Sequence, residues 1–398
     1  MTYEQWSSLM LQEKLPAAFI DLEAFDRNIA KARQLFRGKK QTLRLATKSL
    51  RVPGLIWRAL DSGMPFQGLM CYSAEEALFL ASRGFNDFLI AYPTLQKSDL
   101  AAIKELHDQE KKVSLIIDSV LHLQALERIF SNTSTPFPVL IDVDMSLRVL
   151  GGAVHLGVRR SPIRTVKDVA QLISEIEKYK CLSFSGLMGY EAQVAGLGDK
   201  NPFKRFINPA ARIVRALSVK KVRKLRVSIS EMLKEKGLEP KIFNGGGTGS
   251  LNYTLEESEL TEVTMGSGLY SSHLFDYFSN VQFEPSCFFA LQAVRSSDPH
   301  FVTLQGGGYI ASGEPGWDKV PKPWLPLGMK LVGAEACGEV QTPVTIRDAK
   351  SLPLGGIAVF RHAKAGELME RFNEVVLVSQ GKVVGREKTY RGMGQCFF

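Results

Sequence analysis

Short apolar runs alternate with longer helical patterns through the first 275 residues, and this alternation constrains the fold more than any other feature. Apolar residues at helical spacing follow most of the runs, as in Leu22–Phe36 and Val120–Phe130. The strand-like runs are Ala17–Asp21, Thr42–Ala46, Gly68–Met70, Asp87–Ala91, Val113–Ile117, Val139–Val143, Phe184–Met188, Lys241–Phe243 and Glu262–Thr264. Because the repeated pattern is typical of consecutive parallel βα units, it predicts a TIM-like (β/α)8 barrel within residues 17–275.

The pattern changes after about residue 276. Long helical patterns end there, and short β-rich runs separated by glycine-containing turns take their place. These runs are Phe288–Val294, Phe301–Gln305, Met329–Ala334, Ile357–Arg361 and Val375–Ser379. Residues 276–398 are therefore predicted to form a second, mostly β domain.

The composition argues against several classes of protein. No run of 18 or more apolar residues is present, so no membrane-spanning helix is expected. The N-terminal segment lacks the basic start and apolar middle of a secretory signal. The five cysteines are scattered without a Cys-x-x-Cys pair, which argues against a disulfide framework and a zinc ribbon. These features predict a cytoplasmic protein.

The positive charge of the chain is concentrated in one segment. The formal net charge is +9, and 13 Lys or Arg residues against 3 Asp or Glu lie between Lys200 and Lys241. We interpret this segment as the solvated face of a helix; the alternative is a surface for nucleic acid or an acidic partner. Few aromatic residues accompany the charge, so no stacking platform for bases is indicated and no nucleic-acid partner is predicted.

Lys48 is the first candidate for chemistry. It follows the strand-like run Thr42–Ala46 and precedes Pro53. In a βα barrel the carboxyl ends of the strands meet at the catalytic face. A lysine that is desolvated there has a lowered pKa and an amine nucleophilic enough to form a Schiff base. The alternative is an ordinary surface lysine.

Two glycine-rich loops follow the last two strand-like runs. Gly245-Gly246-Gly247-Thr248-Gly249-Ser250 follows one run, and Gly266-Ser267-Gly268 follows the next. Glycines allow backbone N–H groups to converge on an anion, and barrels often bind phosphate with loops from two neighbouring late strands. Neither loop has the Gly-Lys-Ser/Thr of a P-loop. The pair predicts a phosphate site.

Three further positions are weaker candidates. Tyr190 follows a strand-like run and either faces the site or packs at the barrel rim. Arg148 also follows a run, and its guanidinium either faces an anion such as a phenolate or is structural. His362 lies in the β domain, beside the polar residues Lys364 and Glu367.

This set of features resembles the D-threonine aldolase and D-serine dehydratase group, including the branch called amino acid deaminase/aldolase. The resemblance extends over almost the whole chain, from about Leu15 to Val384. It implies an alanine-racemase-like barrel, a pyridoxal 5'-phosphate cofactor and a homodimer. It also implies that the first strand, Ala17–Asp21, pairs with the C-terminal β domain, which leaves eight strands for the barrel.

The resemblance also implies roles for individual residues. Lys48 would form the Schiff base with the cofactor, and His362 is the candidate acid–base group or metal ligand at the substrate hydroxyl. The residues that would contact the phosphate are Gly246, Gly247, Thr248 and Ser267, and those near the pyridoxal ring are Arg148 and Tyr190.

A divalent metal, Mn²⁺ or Zn²⁺, is the second cofactor that the resemblance implies. Members of the group bind it through a His-x-Cys or His-x-Asp pair, whereas this chain has His362-x-Lys364. A protonated lysine is not a metal ligand and repels a cation. Glu367 is the substitute ligand, or else Lys364 itself supplies the positive charge.

The resulting hypothesis is a lyase that acts on D-3-hydroxy amino acids by aldol cleavage or by dehydration. One alternative is a racemase, which needs a second base; Tyr309 is the candidate in the β domain. Another alternative is a non-catalytic carrier of pyridoxal phosphate, although such carriers resemble the barrel alone and this chain continues beyond it.

Overall fold

Eight parallel strands close into a barrel in the computed structural model, which describes residues 2–347 and 349–397. The barrel strands are β2 (Thr42–Ala46), β3 (Phe66–Cys71), β4 (Phe88–Ile90), β5 (Val113–Ile117), β6 (Phe137–Asp142), β9 (Leu182–Gly189), β10 (Ile242–Gly245) and β11 (Glu262–Met265). Strand β11 pairs with β2 and closes the ring. The predicted TIM-like barrel is confirmed.

The helices lie mainly in the connections between barrel strands. They are α1 (Tyr3–Met10), α2 (Leu22–Leu35), α3 (Pro53–Asp61), α4 (Ala74–Ser82), α5 (Lys97–Asp108), α6 (Val120–Phe130), α7 (Val166–Ile176), α8 (Ala192–Ala195), α9 (Asn208–Glu235), α10 (Leu251–Thr254) and α11 (Ser267–Tyr270). The basic segment contains α9, the longest of them. Within the described residues no helix is long and apolar enough to cross a membrane.

The remaining strands form a sheet beside the barrel and one short hairpin. The sheet contains β1 (Ala17–Asp21), β12 (Cys287–Asp298), β13 (Phe301–Gln305), β14 (Lys322–Leu325), β15 (Lys330–Leu331), β16 (Gln341–Thr345), β17 (Ile357–Arg361), β18 (Glu374–Ser379) and β19 (Lys382–Lys388). Strand β1 lies between β12 and β18, as expected for the first strand. The hairpin is β7 (Leu147–Val149) with β8 (Val154–Leu156).

A buried ion pair crosses the interior of the barrel. Arg44 donates from Nε to Glu262 over 2.7 Å and from Nη1 to Asp87 over 2.7 Å. Its side chain is 3% exposed, so the two carboxylates compensate a charge that would be costly to bury alone. Above this layer the interior of the barrel opens toward the carboxyl ends of the strands.

Candidate active site

A cavity of about 660 Å³, including its mouth, lies at the carboxyl ends of the barrel strands. Within the described part of the chain, no carboxylate side chain lines it. Its polar lining side chains are Lys48, Ser49, Tyr72, Arg160, Tyr190, Asn244, Thr248, Thr264 and Ser267. The cavity is therefore suited to an anionic ligand.

Lys48 reaches this cavity from a single helical turn, Thr47–Ser49, that directly follows β2. Its ammonium lies over the ring of Tyr72, with Nζ 4.0 Å from the ring centroid. Burial, together with the charges of Arg160 and Lys364, lowers the pKa of Lys48 from 10.5 to about 8. A substantial fraction of this amine is neutral near physiological pH, as a nucleophile or base requires.

The two glycine-rich loops meet at one end of the cavity. Each begins a helical turn, at Thr248 and at Ser267, and the first N–H groups of such a turn have no partner within it. Gly268 N donates to Thr248 Oγ1 over 3.1 Å, so the loops are joined directly. The hydroxyl of Ser267 lies 3.0 Å from that of Ser49, next to Lys48. The predicted phosphate residues and Lys48 thus share one cavity.

Tyr190 and Arg160 form another part of the wall, with Tyr190 next to Gly247. The guanidinium carbon of Arg160 lies 5.3 Å from the centroid of the Tyr190 ring. Burial raises the pKa of Tyr190 to about 12, which keeps its phenol neutral. Arg160 makes no hydrogen bond or ion pair with another described residue, so its donors remain available to a ligand.

Arg148 does not line this cavity, and its predicted place beside the pyridoxal ring stays a prediction. It belongs to β7 and lines a second, smaller cavity together with Arg164 and Lys221. The connection between β6 and α7 contains the β7–β8 hairpin, which carries Arg148 toward α9. The guanidinium that returns to the site is that of Arg160, further along the same connection.

His362 also lies outside this cavity, and its predicted contact with the substrate stays a prediction. Its ring is 2% exposed and packs edge-on against Tyr270 with a centroid distance of 6.1 Å. Backbone groups of Cys287 and Ala365 lie nearby, but neither ring nitrogen makes a hydrogen bond of ordinary geometry. Burial lowers the pKa of His362 to about 3, so the imidazole is neutral.

Lys364 and Glu367 are engaged with each other rather than open to a metal. Their charged groups are 3.1 Å apart, and both contact Ser312. Glu367 accepts from Ser312 N over 2.8 Å, and Lys364 Nζ donates to Ser312 Oγ over 2.9 Å. Among the residues that the structure describes, no group of three His, Cys, Asp or Glu side chains could hold a metal ion.

Several lining residues were not identified from the sequence, among them Tyr72 and Arg160. Tyr72 is the first residue after β3, so its position at a strand end was a usable signal. Arg160 gave no comparable signal, because it lies 18 positions beyond the end of β6 and follows an inserted hairpin. Linear spacing could not reveal which arginine of that connection returns to the cavity.

Comparison with known proteins agrees with this geometry. The family model of the alanine racemase N-terminal domain matches residues 20–273. The chain therefore belongs to the family of proteins that contain the alanine racemase N-terminal domain, and the resemblance predicted from the sequence is confirmed.

The more specific similarities are to enzymes of 3-hydroxy amino acids. A D-threonine aldolase from Arthrobacter sp. is 24% identical over 73% of this chain and 71% of its own length. The structure of a D-threonine aldolase from Filomicrobium marinum has a TM-score of 0.82 at 18% identity, covering 98% of this chain and 97% of that one. The D-threo-3-hydroxyaspartate dehydratase from Delftia sp. HT23 gives 0.79 at 18% identity, covering 96% and 98%.

Proposed function

We propose that this chain is a pyridoxal-phosphate-dependent lyase that acts on D-3-hydroxy amino acids. The observation that carries the proposal is the placement of a buried lysine with a pKa of about 8 in the same cavity as two joined glycine loops. The names of the relatives support the substrate class.

The residues present fit the cofactor. The loops that begin helical turns at Thr248 and Ser267 would hold the phosphate, Lys48 would hold the aldehyde carbon, and Tyr190 would lie against the ring. When bound, the cofactor supplies an electron sink for negative charge at the substrate Cα. Arg160 would bind the substrate carboxylate or the phenolate oxygen of the cofactor, since its donors are uncommitted.

Of the two lyase reactions, the geometry supports dehydration more directly. Lys48 is the lining group, among the described residues, whose pKa lies close to neutrality, so it can remove the proton from Cα. Aldol cleavage instead needs a base at the β-hydroxyl, and the neutral phenol of Tyr190 is a poor base. His362 does not reach the cavity. Loss of the β-hydroxyl after removal of the Cα proton leads to a keto acid and ammonia.

We further propose that the reaction needs neither Mn²⁺ nor Zn²⁺. His362 lines a separate small cavity together with Lys364 and Glu367, and there the carboxylate of Glu367 is occupied by Lys364 and Ser312. The ammonium of Lys364 is close enough to lower the pKa of Lys48, so a positive charge already stands near the reacting amine. In this proposal Lys364, which does not line the cavity, acts on Lys48 through its charge and helps to keep that amine partly neutral.

The two alternatives receive less support. A racemase would need a second base, but the ring of Tyr309 packs between Phe289 and Phe372, at 5.0 and 5.2 Å, and does not line the cavity. A non-catalytic carrier would leave unexplained why the segment from His362 to Glu370 packs beside Lys48. In that segment, a Cβ added to Gly366 would lie 2.6 Å from the carbonyl oxygen of Lys48.

A homodimer in the cytoplasm completes the proposal. Exposed Phe203, Phe206 and Ile207 precede α9 and offer an apolar patch to a second copy of the chain. No disulfide joins cysteines in the described residues, as a reducing compartment would favour. Analytical ultracentrifugation of the holoenzyme tests the dimer.

Product analysis tests the proposed reaction. The purified holoenzyme is incubated with D-serine, D-threonine and D-3-hydroxyaspartate, each with chelator, with Mn²⁺ and with Zn²⁺. We expect a keto acid and ammonia at rates that the chelator does not lower. Glycine with an aldehyde would identify an aldolase, equal racemisation of both enantiomers would identify a racemase, and no product from any substrate would refute the lyase.

Two variants test the assigned lysines. Lys48→Ala should lose the visible absorbance band of the bound cofactor, whereas Lys364→Met should keep that band and lose part of its turnover. Lys220→Met, on the exposed face of α9, is the matched control and should change neither. Loss of activity in chelator, with recovery in Mn²⁺, would contradict the proposed independence of the reaction from metal.

A further inference from the structure

A buried arginine from the basic segment lies directly beneath the first glycine loop. The guanidinium of Arg226, on α9, is fully buried between two carboxylates, those of Glu191 and Glu257. Its Nη1 donates to Glu257 over 2.7 Å, and its Nη2 donates to Glu191 and to the carbonyl oxygen of Gly189. This one arginine of the segment therefore has a role other than solvation.

Glu191 connects Arg226 to the loop. Its Oε1 accepts from the hydroxyl of Ser250 over 2.6 Å, and its Oε2 accepts from Gly246 N over 3.3 Å. The same hydroxyl of Ser250 accepts from Gly247 N over 3.0 Å. A continuous set of hydrogen bonds thus runs from α9 through Glu191 to the backbone of the loop.

The first glycine of the run is explained by the same arginine. A Cβ added to Gly245 would lie 2.4 Å from Nη2 of Arg226 and 3.0 Å from its Cζ, far inside contact distance. The side chain of Arg226 is fully enclosed and cannot move away from such an atom. Gly245 is therefore required by the approach of Arg226 to the loop and not by contact with a phosphate.

The charges make the arrangement relevant to an anionic ligand. A carboxylate directly below a phosphate site would repel the phosphate. Arg226 opposes the charge of Glu191 and is shared with Glu257, a carboxyl whose pKa is raised by burial. The carboxylate of Glu191 can therefore shape the loop with a smaller penalty. The hydrogen bonds of Glu191 and Ser250 occupy the N–H groups of Gly246 and Gly247, and those that begin the next turn remain for the phosphate.

We propose that Arg226 and Glu191 are positioning residues: Glu191 holds the glycine loop in its phosphate-binding shape, and Arg226 opposes the negative charge beneath it. The proposal rests on the proposed function, because it assumes that the loop receives the phosphate of the cofactor. It predicts that these residues set the preference of the protein for pyridoxal phosphate over pyridoxal, which lacks the phosphate.

The test compares the affinities of Arg226→Met apoenzyme for pyridoxal phosphate and for pyridoxal. We expect the phosphate form to bind about tenfold more weakly or worse, in the range found for residues that orient a binding group from behind, with little change for pyridoxal. Glu191→Gln in the same chain removes the one of the two uncompensated carboxylates that contacts the loop, and it should restore part of the lost affinity. The ³¹P resonance of the bound phosphate should titrate at higher pH in Arg226→Met than in the wild type.

Arg215→Met is the matched control. Arg215 is also a buried arginine of α9, paired with Asp199 over 3.3 Å, but it donates to the carbonyl oxygen of Leu197 and does not contact the glycine loop. Its replacement should leave the ratio of the two affinities unchanged. If Arg226→Met does not fold, Ser250→Ala removes only the hydroxyl between Glu191 and Gly247 and should shift the ratio in the same direction.

The outcomes separate this proposal from the proposed function. A wild-type protein that binds neither ligand would refute the proposed function itself. A wild-type protein that prefers pyridoxal phosphate, with the same ratio of affinities in Arg226→Met and Ser250→Ala, would refute only the role of Arg226 and Glu191. Equal weakening of both ligands would show that Arg226 is merely structural.

Discussion

Replacement of Lys48 by methionine should stabilise the apoenzyme, although it destroys the proposed activity. Burial and neighbouring cations lower the pKa of Lys48 from 10.5 to about 8. The shift of about 2.5 pKa units corresponds to roughly 3.4 kcal/mol of folding free energy, because one unit is about 1.36 kcal/mol. The native apoenzyme is less stable by this energy because it holds Lys48 in surroundings that disfavour the charged amine.

The direction of this stability difference, and the pH range in which it changes, follow from proton binding at Lys48. Between pH 8 and 10.5 the unfolded chain binds more protons at Lys48 than the native apoenzyme does, so the free energy of unfolding rises with pH in this range. At pH 7 the buried lysine lowers the free energy of unfolding of the native apoenzyme by almost the full ~3.4 kcal/mol, or roughly 3 kcal/mol. We expect Lys48→Met to be more stable than the wild type by about 3 kcal/mol at pH 7, about 2 kcal/mol at pH 9 and less than about 0.5 kcal/mol at pH 10.5.

Urea denaturation of both apoproteins at these pH values measures the difference. Lys220→Met, which alters an exposed lysine of α9, should show no such pH dependence. As an independent measurement, the rate at which wild-type apoenzyme reacts with pyridoxal should rise with an inflection near pH 8. A stability difference that is absent at pH 7, or that stays constant to pH 10.5, would refute the argument that Lys48 is buried with a lowered pKa.

Three further perturbations have defined outcomes. Gly249→Ala places a Cβ 2.1 Å from a backbone carbonyl at the end of α8, so it should cost about 1–3 kcal/mol in urea denaturation and weaken cofactor binding, whereas Gly333→Ala, where nothing lies within 4 Å, should do neither. Burial raises the pKa of Asp142 from 3.8 to about 7, so the native state holds an extra proton between these pH values and loses stability as the pH rises. The difference in the free energy of unfolding between Asp142→Asn and the wild type should therefore grow by about 2.5 kcal/mol from pH 5 to pH 8. A difference that does not depend on pH would contradict this. Glu262→Gln removes one of the two carboxylates that compensate Arg44 and leaves only Asp87. Calorimetry should show a free energy of unfolding lowered by about 3 kcal/mol, and an unchanged value would contradict the importance of this pair.

The barrel could be predicted from the sequence because each of its strands is apolar and is followed by a helix or a glycine-rich turn. The C-terminal sheet was predicted less completely. Strand β19 alternates between exposed and half-buried residues, and β14 is half-buried throughout, so neither gives an apolar run. Helix α1 precedes the alternating pattern and was also not predicted. The division into domains at residue 276 stays a prediction.

The site residues that could be predicted from the sequence are those that lie close to the end of a barrel strand. Lys48, Tyr190 and the two glycine loops follow barrel strands within a few residues, and the closed barrel brings such positions together. Arg148 is separated from the cavity by the direction of the β7–β8 hairpin, which no periodicity encodes. His362 follows β17 of the C-terminal sheet, so its position depended on how that sheet packs against the barrel.

The glycine run shows what a motif alone cannot reveal. Gly245 leaves room for the guanidinium of Arg226, whereas any residue with a Cβ at this position would collide with it. Gly246 has a left-handed φ of 86°, and a Cβ there would lie 2.6 Å from Val263. Gly247 lies against the ring of Tyr190, and a Cβ added to it would lie 3.2 Å from Cε2 of that ring.

Three adjacent glycines therefore answer three separate constraints, and the last two of them line the cavity. The sequence indicated phosphate binding for the whole run because glycine-rich loops are common at phosphate sites. The structure assigns the first glycine to the ion pair beneath the loop. Replacement of Gly245 should consequently resemble replacement of Arg226, with weaker binding of pyridoxal phosphate relative to pyridoxal, and a Gly245→Ala variant in which that ratio is unchanged would separate the two positions.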